Sequence, residues 1–352
     1  MITNEVWLVT GASGYLASEL CKTVRRVHPH VRLIGADVRR PEHHWCDEFL
    51  VCSLDTPDNA AVRKVMTTRV DLVIHLAGVA VEGWCFGNPQ QTCEFNIRSV
   101  YLMLEAIRRG RHPCRFILST TDKVYGRNAT QADPYLEDEE LAAKNIYETS
   151  KVCADLLAQS YHRSYGVAAS IVRFSNIYGA FDANLSRLVP GAMRCLQTGL
   201  PPELRLAANG DEYSRDFIHI SDVVEGVIAV ARGVAASNQD VVGQAFNISS
   251  GKEYRVRDVL EEIIAICKPG ASYFEVRGGV AYLEIVNQCA SNEKMRRVLG
   301  WSPKVSLTEG LRMTRDATFA STRPVAPIPE RKGLLLAAAG GGPAVLVPDR
   351  VG

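Results

Sequence analysis

Short apolar runs alternate with longer amphipathic segments over most of the chain. The runs predicted to be buried strands cover residues 5–10, 31–37, 49–52, 71–76, 114–118, 167–174 and 245–248. Runs of this length that are apolar throughout are typical of parallel strands covered on both faces. Between them, apolar residues recur at helical spacing, as in Leu16, Leu20, Val24 and Val27. The pattern predicts an α/β fold, a doubly wound parallel sheet with right-handed crossovers.

A glycine-rich segment joins the first predicted strand to the first predicted helix. Its residues are Gly11, Ala12, Ser13, Gly14, Tyr15, Leu16 and Ala17. Glycines between a strand and a helix allow a tight turn and let backbone amides approach a pyrophosphate at the helix N-terminus. We therefore expect Gly11, Ser13, Gly14, Tyr15 and Leu16 to bind a dinucleotide.

The second predicted strand ends in Asp37, about twenty residues beyond the glycines. A carboxylate there accepts hydrogen bonds from the ribose hydroxyls of NAD and repels the extra phosphate of NADP. NAD is thus the expected cofactor. Arg39 and Arg40 are expected to cover the adenine or face solvent; the alternative is that they hold the 2′-phosphate of NADP.

Residues 119–151 contain the candidate catalytic groups. Thr121 and its neighbours Asp122 and Lys123 come just after the predicted strand at 114–118, and we expect them to lie past its carboxyl end. Tyr147 and Lys151 are four residues apart, so they share one face of a helix. An ammonium beside a phenol favours the phenolate, so the pair is suited to proton transfer.

Together these motifs resemble the extended short-chain dehydrogenase/reductases, in particular the NAD-dependent nucleotide-sugar epimerase/dehydratase family. The resemblance covers roughly residues 5 to 315. It implies a Rossmann-type sheet with a smaller C-terminal substrate-binding lobe, and a nucleotide-diphosphate sugar as substrate. It adds Asp55, Leu76, Ala77, Gly78 and Asn96 to the cofactor contacts, with Tyr147 and Lys151 serving both cofactor and catalysis. Asp55 is alternatively the cap of the next helix, and Asn96 a buried amide satisfying local backbone.

Further segments resemble the family's substrate site. Asn176 lies in an R-x-x-N-x-Y-G segment and is expected to contact the nucleotide sugar with Thr121. Arg215 precedes D-F-I-H and is expected to clamp a diphosphate, since the guanidinium fork suits phosphate oxygens. Arg277 occupies the place of a second phosphate ligand, although the proline and acid that normally follow it are missing.

These motifs divide the chain into parts. Residues 1–177 form the predicted NAD-binding domain, and 216–249 return to it. Residues 178–215 and 250–320 form the sugar-binding lobe, with 180–215 expected to be loop-rich. Residues 321–352, rich in Pro, Gly and Ala, are a predicted tail.

The catalytic stretch favours a 4,6-dehydratase. The family's 4,6-dehydratases carry T-D-E, whose acid protonates the departing 6-hydroxyl and whose glutamate takes the proton from carbon 5. The residues here are Thr121, Asp122 and Lys123. CDP-glucose dehydratases and inverting UDP-N-acetylglucosamine dehydratases resemble this Asp-Lys pair. Lys123 is a base only when neutral; otherwise it pairs with Asp122 or binds an anionic substituent.

Other reactions stay open. A 4-epimerase is the second reading, and a decarboxylase or epimerase of a uronic-acid sugar uses the same 4-keto intermediate. A non-catalytic NAD-binding protein is disfavoured because Thr121, Tyr147 and Lys151 are all retained.

The composition and net charge of the chain limit the kinds of partner that we expect it to bind. The net charge is +1, so the chain has no strong field to attract nucleic acid or membrane. Ten cysteines without C-x-x-C pairs, and no signal-peptide or membrane-helix pattern, predict a cytoplasmic protein with reduced thiols. No metal site is expected, since His43, His44, Cys46 and Cys52 match no zinc spacing. The two long helices around 89–109 and 147–165 are a predicted homodimer interface.

Overall fold

The computed structural model describes residues 4–278 and 284–320, together with the short strand Val345–Leu346. Its strands are β1 (Val6–Thr10), β2 (Arg32–Asp37), β3 (Glu48–Val51), β4 (Leu72–His75), β5 (Arg115–Thr121), β6 (Ala169–Phe174), β7 (Asn176–Tyr178), β8 (Glu203–Leu206), β9 (Ser214–Arg215), β10 (Phe217–His219), β11 (Ala245–Ile248), β12 (Tyr254–Arg255), β13 (Phe274–Arg277) and β14 (Val345–Leu346). The predicted tail at 321–352 otherwise lies outside the described residues.

The helices are α1 (Tyr15–Val27), α2 (Ala60–Thr67), α3 (Glu82–Gly87), α4 (Pro89–Cys93), α5 (Ser99–Arg109), α6 (Ile146–Tyr165), α7 (Leu188–Gln197), α8 (Ile220–Ala235), α9 (Val256–Cys267), α10 (Glu293–Leu299) and α11 (Leu307–Ala320). A π-helical turn, Glu94–Arg98, joins α4 to α5, and a 3₁₀ turn, Asp122–Tyr125, follows β5. The long helix predicted from Asn88 onward is therefore interrupted by a change of helix type.

A seven-stranded parallel sheet positions the site. Its strand order is β3-β2-β1-β4-β5-β6-β11, and every adjacent pair is parallel. The chain moves outward in one direction from β1 and then in the other from β4, so the two halves meet between β1 and β4. Ligands bind beyond the carboxyl ends of strands at such a point. The predicted Rossmann-type α/β fold is confirmed.

Apolar layers cover both faces of this sheet. Trp7 and Leu8 are neighbours on β1, and both are fully buried on opposite faces. The Trp7 face packs on α1 and α8, whereas the Leu8 face packs on α2, α5 and α6. Each fully buried large aliphatic side chain stabilises the fold by roughly 1.5–3 kcal/mol. These layers hold the strand ends in place.

A third apolar cluster builds the smaller lobe from α7, α9, α11 and β8. Residues 180–215 therefore contain a regular helix and strand, and the expectation of a loop-rich stretch is wrong. Pro190, one of the residues that suggested loops, is the third residue of α7. The first N–H groups of a helix have no intrahelical acceptor, so proline is tolerated there.

Strand β5 extends three residues past its apolar run. Thr120 and Thr121 pair with Arg173 and Phe174 of β6, so the ladder continues through polar residues. The expectation that Ser119, Thr120 and Thr121 follow the strand is wrong: they form its last residues. The apolar residues of β5 indicated its buried middle, but they did not indicate where the strand ends.

Candidate active site

The turn between β1 and α1 packs closely against the segment that follows β4. Gly11 has φ +67°, and a Cβ there would lie 2.9 Å from the backbone N and Cα of Ala77. Gly14 is the N-cap of α1 and makes no side-chain cap bond, so the first amides of this helix are left for a ligand. Tyr15 and Leu16 open α1 and are both partly buried. This cradle fits a dinucleotide.

Asp37 is held at the end of β2 by the same turn. Its Oδ2 accepts a 2.9 Å hydrogen bond from the backbone N–H of Ser13. The Ser13 hydroxyl donates to the carbonyl of Arg39 at 2.7 Å. The acid expected to meet the ribose is thus fixed beside the glycine turn.

Asp55 does not cap the helix that follows it. That helix, α2, is capped by Asn59, whose Oδ1 accepts a 2.9 Å hydrogen bond from Val62 N. Asp55 instead accepts a hydrogen bond from Ser53. The capping alternative for Asp55 is wrong, and its adenine contact stays a prediction.

The segment after β4 forms the other wall of the cradle. Ala77 N donates to Thr10 Oγ1 at 3.2 Å, which ties Leu76 and Ala77 to β1. Gly78 has φ +154°, and a Cβ on it would lie 2.8 Å from Asn96 Oδ1 and 3.2 Å from Lys151 Nζ. Gly78, Asn96 and Lys151 therefore meet at one point.

Asn96 is buried in the π-helical turn, where its side chain serves the local structure. Its Oδ1 accepts from Val79 N at 2.7 Å, and its Nδ2 donates to Val79 O and to Ser150 Oγ. These bonds join the segment after β4 to α6. Asn96 therefore positions Lys151's helix against the cradle.

Helix α6 carries the proton-transfer pair. It is capped by Asn145, whose Oδ1 accepts from Glu148 N at 3.0 Å. Tyr147 and Lys151 lie one turn apart in its first half, and both are buried. Burial lowers the pKa of Lys151 to about 8.

The phenol of Tyr147 is shifted in the direction opposite to the sequence expectation. Burial raises its pKa well above the usual value, and the charge of Glu82 adds to the rise. A hydrogen bond with Thr121 and the charge of Arg187 act the other way. Thr121 and Tyr147 are therefore in contact, as a catalytic pair requires.

Asp122 is an acid in an unusual setting. It is 2% exposed, and its Oδ1 accepts from Thr121 Oγ1 at 3.2 Å and from Gln288 Nε2 at 3.4 Å. Within the described residues, Asp122 Oδ2 and Gln288 Oε1 are buried without a hydrogen-bond partner. Burial, and then the charge of Asp216, raise the pKa of Asp122 to about 7. A large fraction of this carboxyl is therefore protonated near neutrality.

Lys123 forms an ion pair with Glu82, the first residue of α3. The two side chains are 13% and 14% exposed, so the pair is largely shielded from water. Glu148, which follows Tyr147 on α6, is fully buried, and its charge and that of Lys123 act on each other. Lys123 thus pairs with Glu82 rather than with Asp122, the partner considered from the sequence.

The predicted substrate residues lie in different surroundings. Asn176 is partly exposed on β7, next to the strand end of β6. Arg277 is exposed on β13. Arg215 is buried, and its two terminal nitrogens donate to Ser214 O, Val286 O and Glu284 Oε1 at 2.7–2.8 Å. Protein oxygens thus already contact the guanidinium of Arg215, and its role as a diphosphate clamp stays a prediction.

Three groups of the site were missed from the sequence: Glu82, Arg187 and Gln288. Gln288 reaches Asp122 from 166 positions away, and Arg187 precedes α7 in the lobe. No local spacing connects either residue to the catalytic stretch. For Glu82 the one available signal was an acid shortly after the small residues at 77–78.

A family model matches residues 7–249, and its description is the NAD dependent epimerase/dehydratase family. The chain belongs to this family. A trifunctional UDP-glucose 4,6-dehydratase/3,5-epimerase/reductase of Arabidopsis thaliana is 27% identical over 331 residues, which are 88% of this chain but 46% of that protein. The chain thus spans about half the length of the first relatives it matches.

Other relatives match over most of their length. The dTDP-D-glucose 4,6-dehydratase of Homo sapiens is 25% identical over 327 residues, covering 87% of this chain and 88% of that protein. The crystal structure of dTDP-glucose 4,6-dehydratase from Bacillus anthracis in complex with NAD superposes with a TM-score of 0.75 at 20% identity, covering 89% of this chain and 96% of that one. At this identity the superposition shows a shared fold.

Two further observations on the described residues concern a membrane and a metal ion. No helix among residues 4–278 and 284–320 is long and apolar enough to cross a membrane. In the same residues, no three His, Cys, Asp or Glu side chains are grouped so that they could hold a metal ion.

Proposed function

We propose that this protein is an NAD-dependent nucleotide-sugar 4,6-dehydratase. The observation that carries the proposal is Asp122, a buried carboxyl beside the Thr121 and Tyr147 pair whose pKa is raised to about 7. Removal of a hydroxyl from a sugar needs an acid that holds a proton near neutrality. Oxidation and return of a hydride at carbon 4 alone need no such group.

The cradle of Gly11, Gly14 and Gly78, with Asp37 at its edge, supports NAD as the bound cofactor. NAD held there would accept the hydride from carbon 4 of the sugar and later return one to carbon 6. Tyr147 would take the proton of the 4-hydroxyl, with Thr121 orienting that hydroxyl through their shared hydrogen bond. Lys151, buried on the same helix as Tyr147 with its Nζ beside Gly78, would favour the phenolate when charged.

Asp122 would then act at carbon 6. The ketone at carbon 4 makes the neighbouring carbon 5 acidic, so loss of its proton and departure of the 6-hydroxyl form a double bond between carbons 5 and 6. The Asp122 carboxyl gives its proton to the departing hydroxyl, which leaves as water. Gln288 Nε2 holds this carboxyl by donating to Asp122 Oδ1 at 3.4 Å.

A nucleotide-sugar 4-epimerase is the second candidate, because Thr121, Tyr147 and Lys151 are sufficient for its chemistry. An epimerase would not need the proton of Asp122. A buried carboxyl lowers stability unless its oxygens are fully hydrogen-bonded, so its presence favours a role in the reaction. A decarboxylase of uronic-acid sugars would likewise leave the Asp122 proton unused.

The assembly and location of the protein follow as further parts of the proposal. We infer a homodimer formed through α5 and α6, since Tyr101, Leu156 and Tyr165 expose large apolar surface on these helices. The proposed substrate is a nucleotide-diphosphate sugar in the cytoplasm. The small net charge of +1 supports a small-molecule substrate over nucleic acid or a membrane surface.

Mass spectrometry of products tests the proposal. The purified protein is incubated with NAD and, separately, with UDP-, CDP-, GDP- and dTDP-sugars, including a glucuronic acid. Loss of one water with a new keto group is the expected result. A product of unchanged mass would make the protein an epimerase, and loss of carbon dioxide would make it a decarboxylase.

A further inference from the structure

The proposed elimination needs a base at carbon 5, and the residue next to Asp122 is poorly suited to that task. Lys123 lies in an ion pair with Glu82, and the pair is shielded from water. The charges of Asp122 and Glu148 also act on Lys123. The Glu82 carboxylate is therefore in direct contact with the Lys123 amine.

In its ion pair with Glu82, the Lys123 nitrogen is the hydrogen-bond donor and the carboxylate is the acceptor. A protonated amine has no lone pair and cannot accept a proton. The arrangement therefore leaves Lys123 as a donor that holds its neighbours in place.

Glu82 has the opposite properties. It opens α3, a helix that packs against α6 beside the catalytic tyrosine. The negative charge of Glu82 also contributes to the raised pKa of the Tyr147 phenol, the group that acts at carbon 4. Carbon 5 is bonded to carbon 4, and Asp122, acting at carbon 6, borders Lys123 on the other side.

We propose that Glu82 is the base that removes the proton from carbon 5, and that Lys123 positions the Glu82 carboxylate. The inference rests on the proposed dehydratase function. In this step, Glu82 Oε takes the proton, and the C5–H electron pair forms the bond between carbons 5 and 6. The C6–O bond breaks, and its electron pair takes the proton of Asp122 to give water. Glu82 later returns its proton to carbon 5.

Two substitutions separate this account from a Lys123 base. Glu82→Gln keeps the size of the side chain but removes the basic oxygen. Lys123→Arg keeps a positive charge that can pair with Glu82, whereas an arginine is never neutral in a protein and cannot act as a base. Glu140→Gln, at an exposed position, serves as the matched control.

Each variant is incubated in heavy water with NAD and the substrate that the wild-type protein converts. Three quantities are recorded: reduced nicotinamide by its absorbance, deuterium at carbon 5, and loss of water. Formation of reduced nicotinamide shows that the variant is folded and that the step at carbon 4 is intact.

We expect Glu82→Gln to form reduced nicotinamide while its water loss and deuterium uptake fall by about 10³-fold, as for loss of a general base. Lys123→Arg should keep both within about tenfold of wild type. The inference is overturned if Lys123→Arg abolishes elimination while Glu82→Gln keeps it, because a neutral lysine is then the base. Absence of water loss in the wild-type protein would instead refute the dehydratase function itself, and this inference with it.

Discussion

The two halves of the candidate site are built from different materials. In the cofactor half, the backbone forms the site. Gly11 and Gly14 beside β1, and Gly78 beside β4, stand where a Cβ would collide with neighbouring protein atoms. The elimination half uses charged side chains, Asp122, Lys123 and Glu82, supported by Gln288. We expect the backbone of the glycine segments to bind the cofactor that the family shares, and the charged side chains to determine which reaction follows. Substitutions in the two halves should therefore have separable effects.

The largest effect is expected where the halves meet, at Tyr147. Tyr147→Phe removes the phenolic oxygen that takes the proton at carbon 4, and loss of a general base lowers kcat by roughly 10²–10⁴-fold. Reduced nicotinamide should no longer form, while the affinity for NAD stays close to that of wild type. Rapid absorbance measurements and calorimetric titration with NAD check both parts.

Tyr161→Phe is the control on the same helix. Its hydroxyl makes a 3.4 Å contact with Glu105, remote from the cradle. Equal turnover in Tyr147→Phe and Tyr161→Phe would contradict the assigned role of Tyr147.

Asp122→Asn should affect only the elimination half. An asparagine has no acidic proton to give the departing hydroxyl, so water loss should fall by roughly 10²–10³-fold. Formation of reduced nicotinamide should continue. The fold should not be weakened, because the amide can donate to Gln288 Oε1, which has no partner among the described residues.

Product mass, nicotinamide absorbance and thermal unfolding check this variant, with the exposed Asp138→Asn as control. If Asp122→Asn releases water at the wild-type rate, another group is the acid.

Gly11→Ala should affect the cofactor half instead. Its φ of +67° costs an alanine roughly 1–2 kcal/mol, and its Cβ would press on Ala77 at 2.9 Å. We expect a lower melting temperature and an NAD affinity weakened about tenfold or more, since 1.4 kcal/mol is a factor of ten.

Gly87→Ala is the matched control, because no atom of the described residues lies within 4 Å of its Cβ. It should leave NAD affinity unchanged. A similar loss in both variants would mean that the cradle at Gly11 is not specific.

The smallest effect is a pH dependence confined to the elimination half. Water loss needs the protonated form of Asp122, whose pKa is raised to about 7 by burial and by Asp216. The rate should be constant below this pH and fall about tenfold per unit above it. The reduction of nicotinamide should not follow this fall.

The same shift has a consequence for stability, with a definite sign. The folded state binds the Asp122 proton more tightly than the unfolded state, whose aspartates have a pKa of about 3.9. The contribution to the free energy of unfolding is therefore greatest below that value and is lost as the pH rises through about 7. Asp122→Asn should remove this slope; denaturant titrations that show the same slope in the variant would assign it to another group, such as Asp216.

The extent of prediction from sequence follows the same division. The glycine turn, Asp37 and the Tyr147–Lys151 pair lie in short segments whose spacing indicates their role. The doubly wound parallel sheet was predicted from the alternation of strands and helices. Gln288 and Arg187 join the site only through the folding of the lobe, so no local pattern could indicate them. Arg215 was expected from the sequence to clamp a diphosphate, but its pairing with Glu284, 69 positions away, could not be predicted from a local pattern. Pairing between residues far apart in the sequence decides which charged side chains remain available to a ligand.

The central claim is that Asp122 makes this site eliminate the 6-hydroxyl of a sugar. Its most direct test uses the converted nucleotide sugar with heavy oxygen placed in the 6-hydroxyl, incubated with the wild-type protein and NAD. The account predicts that the heavy oxygen is released into water and that the product keeps none of it at carbon 6. A product that retains the label at carbon 6 would contradict the account.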